Sequence, residues 1–237
     1  MRLLLFLILV SFISCSNQKD NYEYTTDDAR EKFLNAYPNL SIDSIERINN
    51  AFFEILIGEQ IFYISTDLEY LLAGNIIDLG SGKNITQDRI KKYRLAILNT
   101  IDDKDTIVYS GKKIDHSLII FTDTTCPYCQ KLHNEINSLI TNNIQVKYVL
   151  FSRNGPEDDA YQEMVSIWCS DDQKKSIKTA FSGNFVEQAN CKNPLDKNQA
   201  LAYKLRVNGT PMMFTESGDV IPGYVPYKKI IEILDKN

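Results

Sequence analysis

Two cysteines separated by two residues, Cys126 and Cys129 in Cys126-Pro127-Tyr128-Cys129, are the side chains of this chain best placed to do chemistry. Leu118-Ile119-Ile120-Phe121 before them has the continuous apolar pattern of a buried strand. After them, Leu132, Ile136, Leu139 and Ile140 fall on one helical face. Pro127 suits the first position of that helix, where an N–H is not needed, and this makes Cys126 the N-cap. A sulfur there faces unpaired backbone N–H groups and the positive end of the helix. Both favour the thiolate, the species that attacks disulfides. Cys129, one turn further in, is expected to be more buried and to remain a thiol. It can then close on Cys126 and release a bound substrate. The chemistry of such a pair is thiol–disulfide exchange.

Competing uses of a Cys-x-x-Cys fit less well. Half of a zinc site would need a second ligand pair, but Cys169 and Cys191 are far apart and the chain has 2 histidines. No metal is therefore expected. As a structural staple, so small a loop is tight and easily reduced. Cys169 and Cys191, 22 residues apart, read as a structural disulfide worth roughly 3 kcal/mol of loop entropy. A second redox pair is the alternative reading. His133, one turn beyond Cys129, reads as a helix-surface histidine, and Asp123 as a strand-end residue. Tyr128 is either a substrate contact or an exposed turn aromatic. Pro211, after Thr210, marks a strand start or an edge.

The elements that position these residues divide into two groups after an N-terminal targeting segment. Arg2, the apolar run Leu3 to Val10 and the small residues after it have the layout of a secretory signal over residues 1–16. The run is too short to span a bilayer comfortably. Cleavage after Ser16 would discard Cys15. Alternatively, Ile13-Ser14-Cys15 resembles a lipobox that would make Cys15 a lipid anchor, although Phe12 departs from its usual aliphatic residue. Either way four of the 5 cysteines remain to pair in an oxidising space. A composition of 43% hydrophobic and 24% charged residues is that of a globular chain, and a formal charge of −5 argues against a nucleic-acid partner.

Residues 17–85 hold a helix capped by Thr26 and short β-like runs at Ser44 to Ile48, Ala51 to Ile57, Ile61 to Ser65 and Tyr70 to Leu79. Residues 86–106 contain Ile90, Tyr93, Ile97, Leu98 and Ile101 at helical spacing behind Thr86. They read as a linker helix, or as an element of one flanking domain. Residues 107–237 run strand, helix, strand, helical insert, hairpin, helix, which is a thioredoxin-like order. The fold class is α+β.

Phe121-Thr122-Asp123-Thr124-Thr125-Cys126-Pro127-Tyr128-Cys129-Gln130-Lys131-Leu132-His133 resembles the active-site stretch of the DsbC family of periplasmic disulfide isomerases. The likeness continues at Ile167-Trp168-Cys169, Asn208-Gly209-Thr210-Pro211 and Ile221-Pro222-Gly223-Tyr224. It implies an N-terminal dimerisation domain, a linker helix and a thioredoxin-like catalytic domain with a helical insertion. A homodimer would set two active sites across a shared cleft. The Thr210–Pro211 bond would be cis and lie against the cysteines, making Thr210 and Pro211, with Tyr128, substrate-binding residues. Substrates would be misoxidised secreted proteins, a DsbD-like membrane reductant would keep Cys126 and Cys129 reduced, and no cofactor is implied. Pro127 stands where DsbC proteins often carry glycine and the related DsbG proteins carry proline. Isomerase and DsbG-like reductase or chaperone roles thus both stay open, while a second cysteine pair favours the DsbC branch. The N-terminal unit counts against a DsbA-like oxidase. A non-redox holding chaperone is the reading from another class.

Overall fold

A computed structural model describes residues 23–236, so the signal segment and the lipobox reading at Cys15 lie outside the described residues. The N-terminal unit opens with helix α1 (Thr26–Ala36). Its cap is Thr25, one residue earlier than expected, because a capping box forms between Thr25 and Asp28. Strands β1 (Ser44–Arg47), β2 (Phe52–Ile57), β3 (Gln60–Ser65) and β4 (Leu71–Leu72) form an antiparallel meander in that order. The two-residue period of β2 and β3 explains the layering. Ile55, Ile57, Phe62 and Ile64 turn to one face and pack under Phe33 of α1. Leu56, Ile61 and Tyr63 turn to the other. The run from Tyr70 to Leu79 is not the long strand its residues suggest. Only Leu71 and Leu72 pair with β3, and Ile77 makes an isolated bridge to Asn84. Tyr70, Leu71, Leu72, Ile77 and Leu79 are left exposed.

Helix α2 (Ile85–Leu98) follows. Its cap is Asn84 rather than Thr86, because the Thr86 side chain is buried and occupied: its hydroxyl pairs with the Tyr63 hydroxyl at 2.6 Å and accepts from Ile76 N at 2.9 Å. Beyond Leu98 the chain turns, with one short 3-10 turn at Asp103–Asp105. Ile90 and Tyr93 of α2 pack on Leu56, Ile61 and Tyr63. Ile97, Leu98 and the following Ile101 instead join Phe121 and Phe214 in the core of the second unit.

That unit is built on a five-stranded sheet of order β5-β7-β6-β8-β9, from β5 (Ile107–Tyr109), β6 (His116–Thr122), β7 (Ile144–Leu150), β8 (Met212–Thr215) and β9 (Val220–Pro222). Central β6 runs parallel to β7 and antiparallel to β8. Both its faces are covered, which is why its sequence is continuously apolar. Leu118 and Ile120 face α3 (Pro127–His133), α4 (Ile136–Thr141), α5 (Asp159–Trp168), α6 (Gln173–Phe181) and α8 (Tyr227–Leu234). Phe121 faces α2 and α7 (Leu195–Lys204). The single helix expected after the cysteines is broken at Asn134-Glu135. The Glu135 carboxylate accepts from Tyr224 Oη at 2.7 Å and from Tyr227 N at 2.8 Å, tying the break to the start of α8.

Candidate active site

Helix α3 begins where the end of β6 turns upward, with Cys126 as its N-cap residue (φ −87°, ψ 118°) and Pro127 at its first turn. The Cys126 N–H donates to the carbonyl of Asp123 at 3.1 Å, fixing the approach. Its Sγ donates to the carbonyl oxygen of Thr210 at 3.1 Å, and the Thr210–Pro211 peptide bond is cis. Cys126 and Cys129 are both free and both buried, so they do not differ in accessibility as expected. Tyr128 between them is 61% exposed.

The two sulfurs differ in electrostatics. Burial alone would push the Cys126 thiol up, but the Thr210 side chain and the backbone N–H groups of Cys129 and Tyr128 outweigh it, and its pKa lies below the ordinary cysteine value. Burial dominates at Cys129, whose thiol is pushed up to about 12 despite contacts with Thr122, Thr210 and the Asp123 backbone. The arrangement thus favours the thiolate at 126 over that at 129, where the thiol holds its proton.

Behind the cysteines lies a residue the sequence did not single out. Arg153 follows β7, and because β7 runs parallel to β6 the residues after both strands meet. The Arg153 backbone N–H and Nε donate to Asp123 Oδ2 at 3.1 and 2.9 Å. Asp123 Oδ1 accepts from the backbone N–H of Thr125 at 2.8 Å and from its hydroxyl at 2.7 Å. Asp123 is therefore a buried anchor for the loop that carries Cys126, not a bare strand-end residue. The parallel pairing of two adjacent apolar strands was the signal that could have found Arg153. The hydroxyls of Thr124 and Ser152 are buried here without a hydrogen-bond partner among the described residues.

His133 is not on the helix surface. It is buried between Phe181, Tyr109 and Tyr148, with Nδ1 3.4 Å from the Tyr148 hydroxyl. The helical insert accounts for this: α6 folds back over α3, held by a hydrogen bond from Gln130 Nε2 to the Phe181 carbonyl. Cys169 and Cys191 are joined by a disulfide with a Cα–Cα distance of 5.6 Å, tying the end of α5 to the segment before α7. Thr210, Pro211, Cys126 and Cys129 are brought together, and the Cys169–Cys191 bridge belongs to the insert. Among the described residues no group of three or more His, Cys, Asp or Glu side chains could hold a metal ion.

Residues 103–237 match the thioredoxin-like domain family, and residues 20–87 match the N-terminal domain of disulfide bond isomerase proteins. The thiol:disulfide interchange protein DsbC of Escherichia coli (strain K12) is 33% identical over 185 residues, covering 77% of this chain and 76% of that protein. Its namesake in Salmonella typhimurium is 34% identical over the same shares. The crystal structure of a disulfide interchange protein from Neisseria gonorrhoeae superposes with a TM-score of 0.52 at 25% identity, over 58% of this chain and 98% of that one.

Proposed function

The chain belongs to the DsbC family of thiol:disulfide interchange proteins, and from that premise we propose that it isomerises incorrect disulfides in periplasmic proteins, with Cys126 as nucleophile and Cys129 as resolving thiol. The Cys126 thiolate attacks one sulfur of a substrate disulfide; a mixed disulfide forms and the other substrate sulfur leaves as a thiolate. When a further substrate thiolate displaces Cys126, the substrate has been reshuffled with no net redox change. When Cys129 instead attacks the Cys126 sulfur, the bound substrate sulfur leaves as a thiolate, two electrons have passed to the substrate, and Cys126 and Cys129 are left as a disulfide, which an external dithiol of the DsbD kind must reduce. Thr210, with its carbonyl beside Sγ, and Pro211 dock an extended substrate segment, and exposed Tyr128 borders it.

The observation that carries this reading is the opposite electrostatic setting of two sulfurs one helical turn apart, one favouring the attacking thiolate and the other a protonated resolver. Two copies joined through the N-terminal unit would face their Cys126 groups across one cleft and hold a non-native substrate during reshuffling. No helix among the described residues is long and apolar enough to cross a membrane.

The test is refolding of scrambled ribonuclease by the reduced protein. Wild type restores ribonuclease activity, Cys126→Ser does not, and Cys129→Ser accumulates mixed disulfides through Cys126. Full activity in the Cys126→Ser protein would remove the assignment.

A further inference from the structure

Arg94 sits where three pieces of the chain meet. It lies on α2, and its guanidinium makes a two-pronged ion pair with Glu59 in the β2–β3 turn, Nε to Oε1 at 2.7 Å and Nη2 to Oε2 at 2.9 Å. Its remaining nitrogen, Nη1, donates to the carbonyl of Gly218 at 2.7 Å. The pair is largely withdrawn from water, with side chains 13% and 10% exposed. Gly218 is the tip of the β8–β9 hairpin, so one planar side chain grips the N-terminal sheet and the catalytic sheet together. A guanidinium can do this because its donors form a rigid fork; an ammonium is a point charge.

The neighbouring contacts strengthen the same grip. Lys91, three residues earlier, lies 2.9 Å from both carboxylate oxygens of Asp219. Leu95 approaches so closely that a Cβ on Gly218 would stand 2.7 Å from its Cγ, at a φ of +84° that already favours glycine. At the other end of α2, Arg89 Nε meets Glu54 at 3.3 Å. The hairpin gripped at Gly218 and Asp219 is the one whose first strand, β8, follows directly from Thr210 and Pro211. Only the four residues of paired strand β8, with Glu216 and Ser217, separate the clamp at Gly218 from the loop against the Cys126 sulfur.

We propose that Arg94 is a positioning residue that locks the catalytic unit in one orientation on the N-terminal unit, so that α2 acts as a fixed strut rather than a free hinge. Its effect on activity rests on the isomerase reading. Reshuffling a large substrate depends on where the cysteines stand relative to the N-terminal unit, whereas reduction of a small exposed disulfide does not.

The experiment uses the full chain with Arg94→Met, and the double variant Arg94→Met with Glu59→Met, which leaves no stranded buried carboxylate. Small-angle X-ray scattering should show a larger radius of gyration for both than for wild type. Scrambled-ribonuclease refolding should fall about tenfold, as small misplacements of a working group commonly cost. Reduction of a small-molecule disulfide should stay within about twofold, as expected for a distant independent site. Arg94→Lys should recover only part of the refolding rate, since it cannot hold both partners. Unchanged scattering in the double variant would overturn the proposal, as would an equal loss in both activities, which would make Arg94 a support of the catalytic fold alone. A wild-type protein that fails to refold ribonuclease while the variants still expand would instead count against the isomerase reading and leave the clamp standing.

Discussion

The Asp123 carboxylate holds Arg153 by two donors at once, the backbone N–H at 3.1 Å and the guanidinium Nε at 2.9 Å. With its other oxygen it holds Thr125, the residue before Cys126. One buried side chain therefore joins the ends of β6 and β7 and fixes the loop that delivers the cysteine.

Replacement of Asp123 by Asn should therefore cost about 1–3 kcal/mol, the range for leaving buried donors poorly paired. Burial alone would raise the Asp123 carboxyl, but the hydrogen bonds from Thr125 and Arg153 outweigh it and hold its pKa below the ordinary value. A carboxylate lowered by folding adds stability that is complete above its unfolded pKa and is lost as pH falls through the folded one. Urea midpoints of wild type and Asp123→Asn should accordingly differ at pH 7 and converge on acidification below about pH 4. A gap that does not change with pH would show that the ionised form is not what the site holds.

His133 gives a second pH dependence at a higher range. Burial, and then the charge of Lys178, lower its imidazole to about 4. The fold therefore holds the neutral ring. The stabilisation is complete above the unfolded value near ~6.5 and is lost as pH falls toward the folded one, up to about 3 kcal/mol. His133→Phe keeps a ring against Phe181 and has no proton to take up. Denaturation followed from pH 7 to pH 4 should show a shallower loss of stability in that variant. Parallel curves would place the acid sensitivity elsewhere.

The Cys169–Cys191 bridge closes a loop within the helical insert and is remote in role from the exchanging pair. Replacing both cysteines by alanine should lower unfolding free energy by about 3 kcal/mol while leaving exchange at Cys126 unchanged. Peptide mapping after mild reduction should find this bridge intact when Cys126 and Cys129 are free. Loss of exchange together with the bridge would point to a redox role for it.

Homodimerisation makes a prediction at the sheet edge. Strand β4 is only Leu71–Leu72, and Tyr70, Leu71 and Leu72 are exposed beside it. A lysine on an edge strand discourages pairing with a second chain. Leu72→Lys should shift sedimentation from dimer toward monomer and reduce ribonuclease refolding more than reduction of a small disulfide. A wild-type protein that sediments as a monomer would end the dimer argument.

What could be read in the residues follows from how local the determining interactions are. Cys126 and Cys129 between an apolar strand and an amphipathic helix were legible because strand run, Pro127 and helical spacing all lie within some twenty neighbouring positions. The meander of β2 and β3 was legible from its alternation, and the α+β order from the succession of elements. His133 was misread because its burial depends on α6, which reaches α3 only after the whole insert has folded back. Arg153 and Arg94 carried no local signal, since their partners Asp123 and Glu59 are separated from them by 30 and 35 residues. The run from Tyr70 to Leu79 has strand-like residues, but beyond Leu72 its pairing is confined to an isolated bridge from Ile77 to Asn84.

The apolar surface of α2 belongs to two cores, Ile90 to the first, Ile97 and Leu98 to the second, and Tyr93 to both. The seam between the halves of this protein therefore runs along a helix rather than through a gap in the chain. A transplant of the catalytic half onto another scaffold, cut at residue 103 where the thioredoxin-like match begins, would leave Ile97, Leu98 and Ile101 behind. It would strip the cover from Phe121 and Phe214, the very strands that flank the cysteines. A graft that carries α2 with it keeps that cover, but brings a bare patch around Ile90, and the side of Tyr93 that met the first sheet, for its new host to cover.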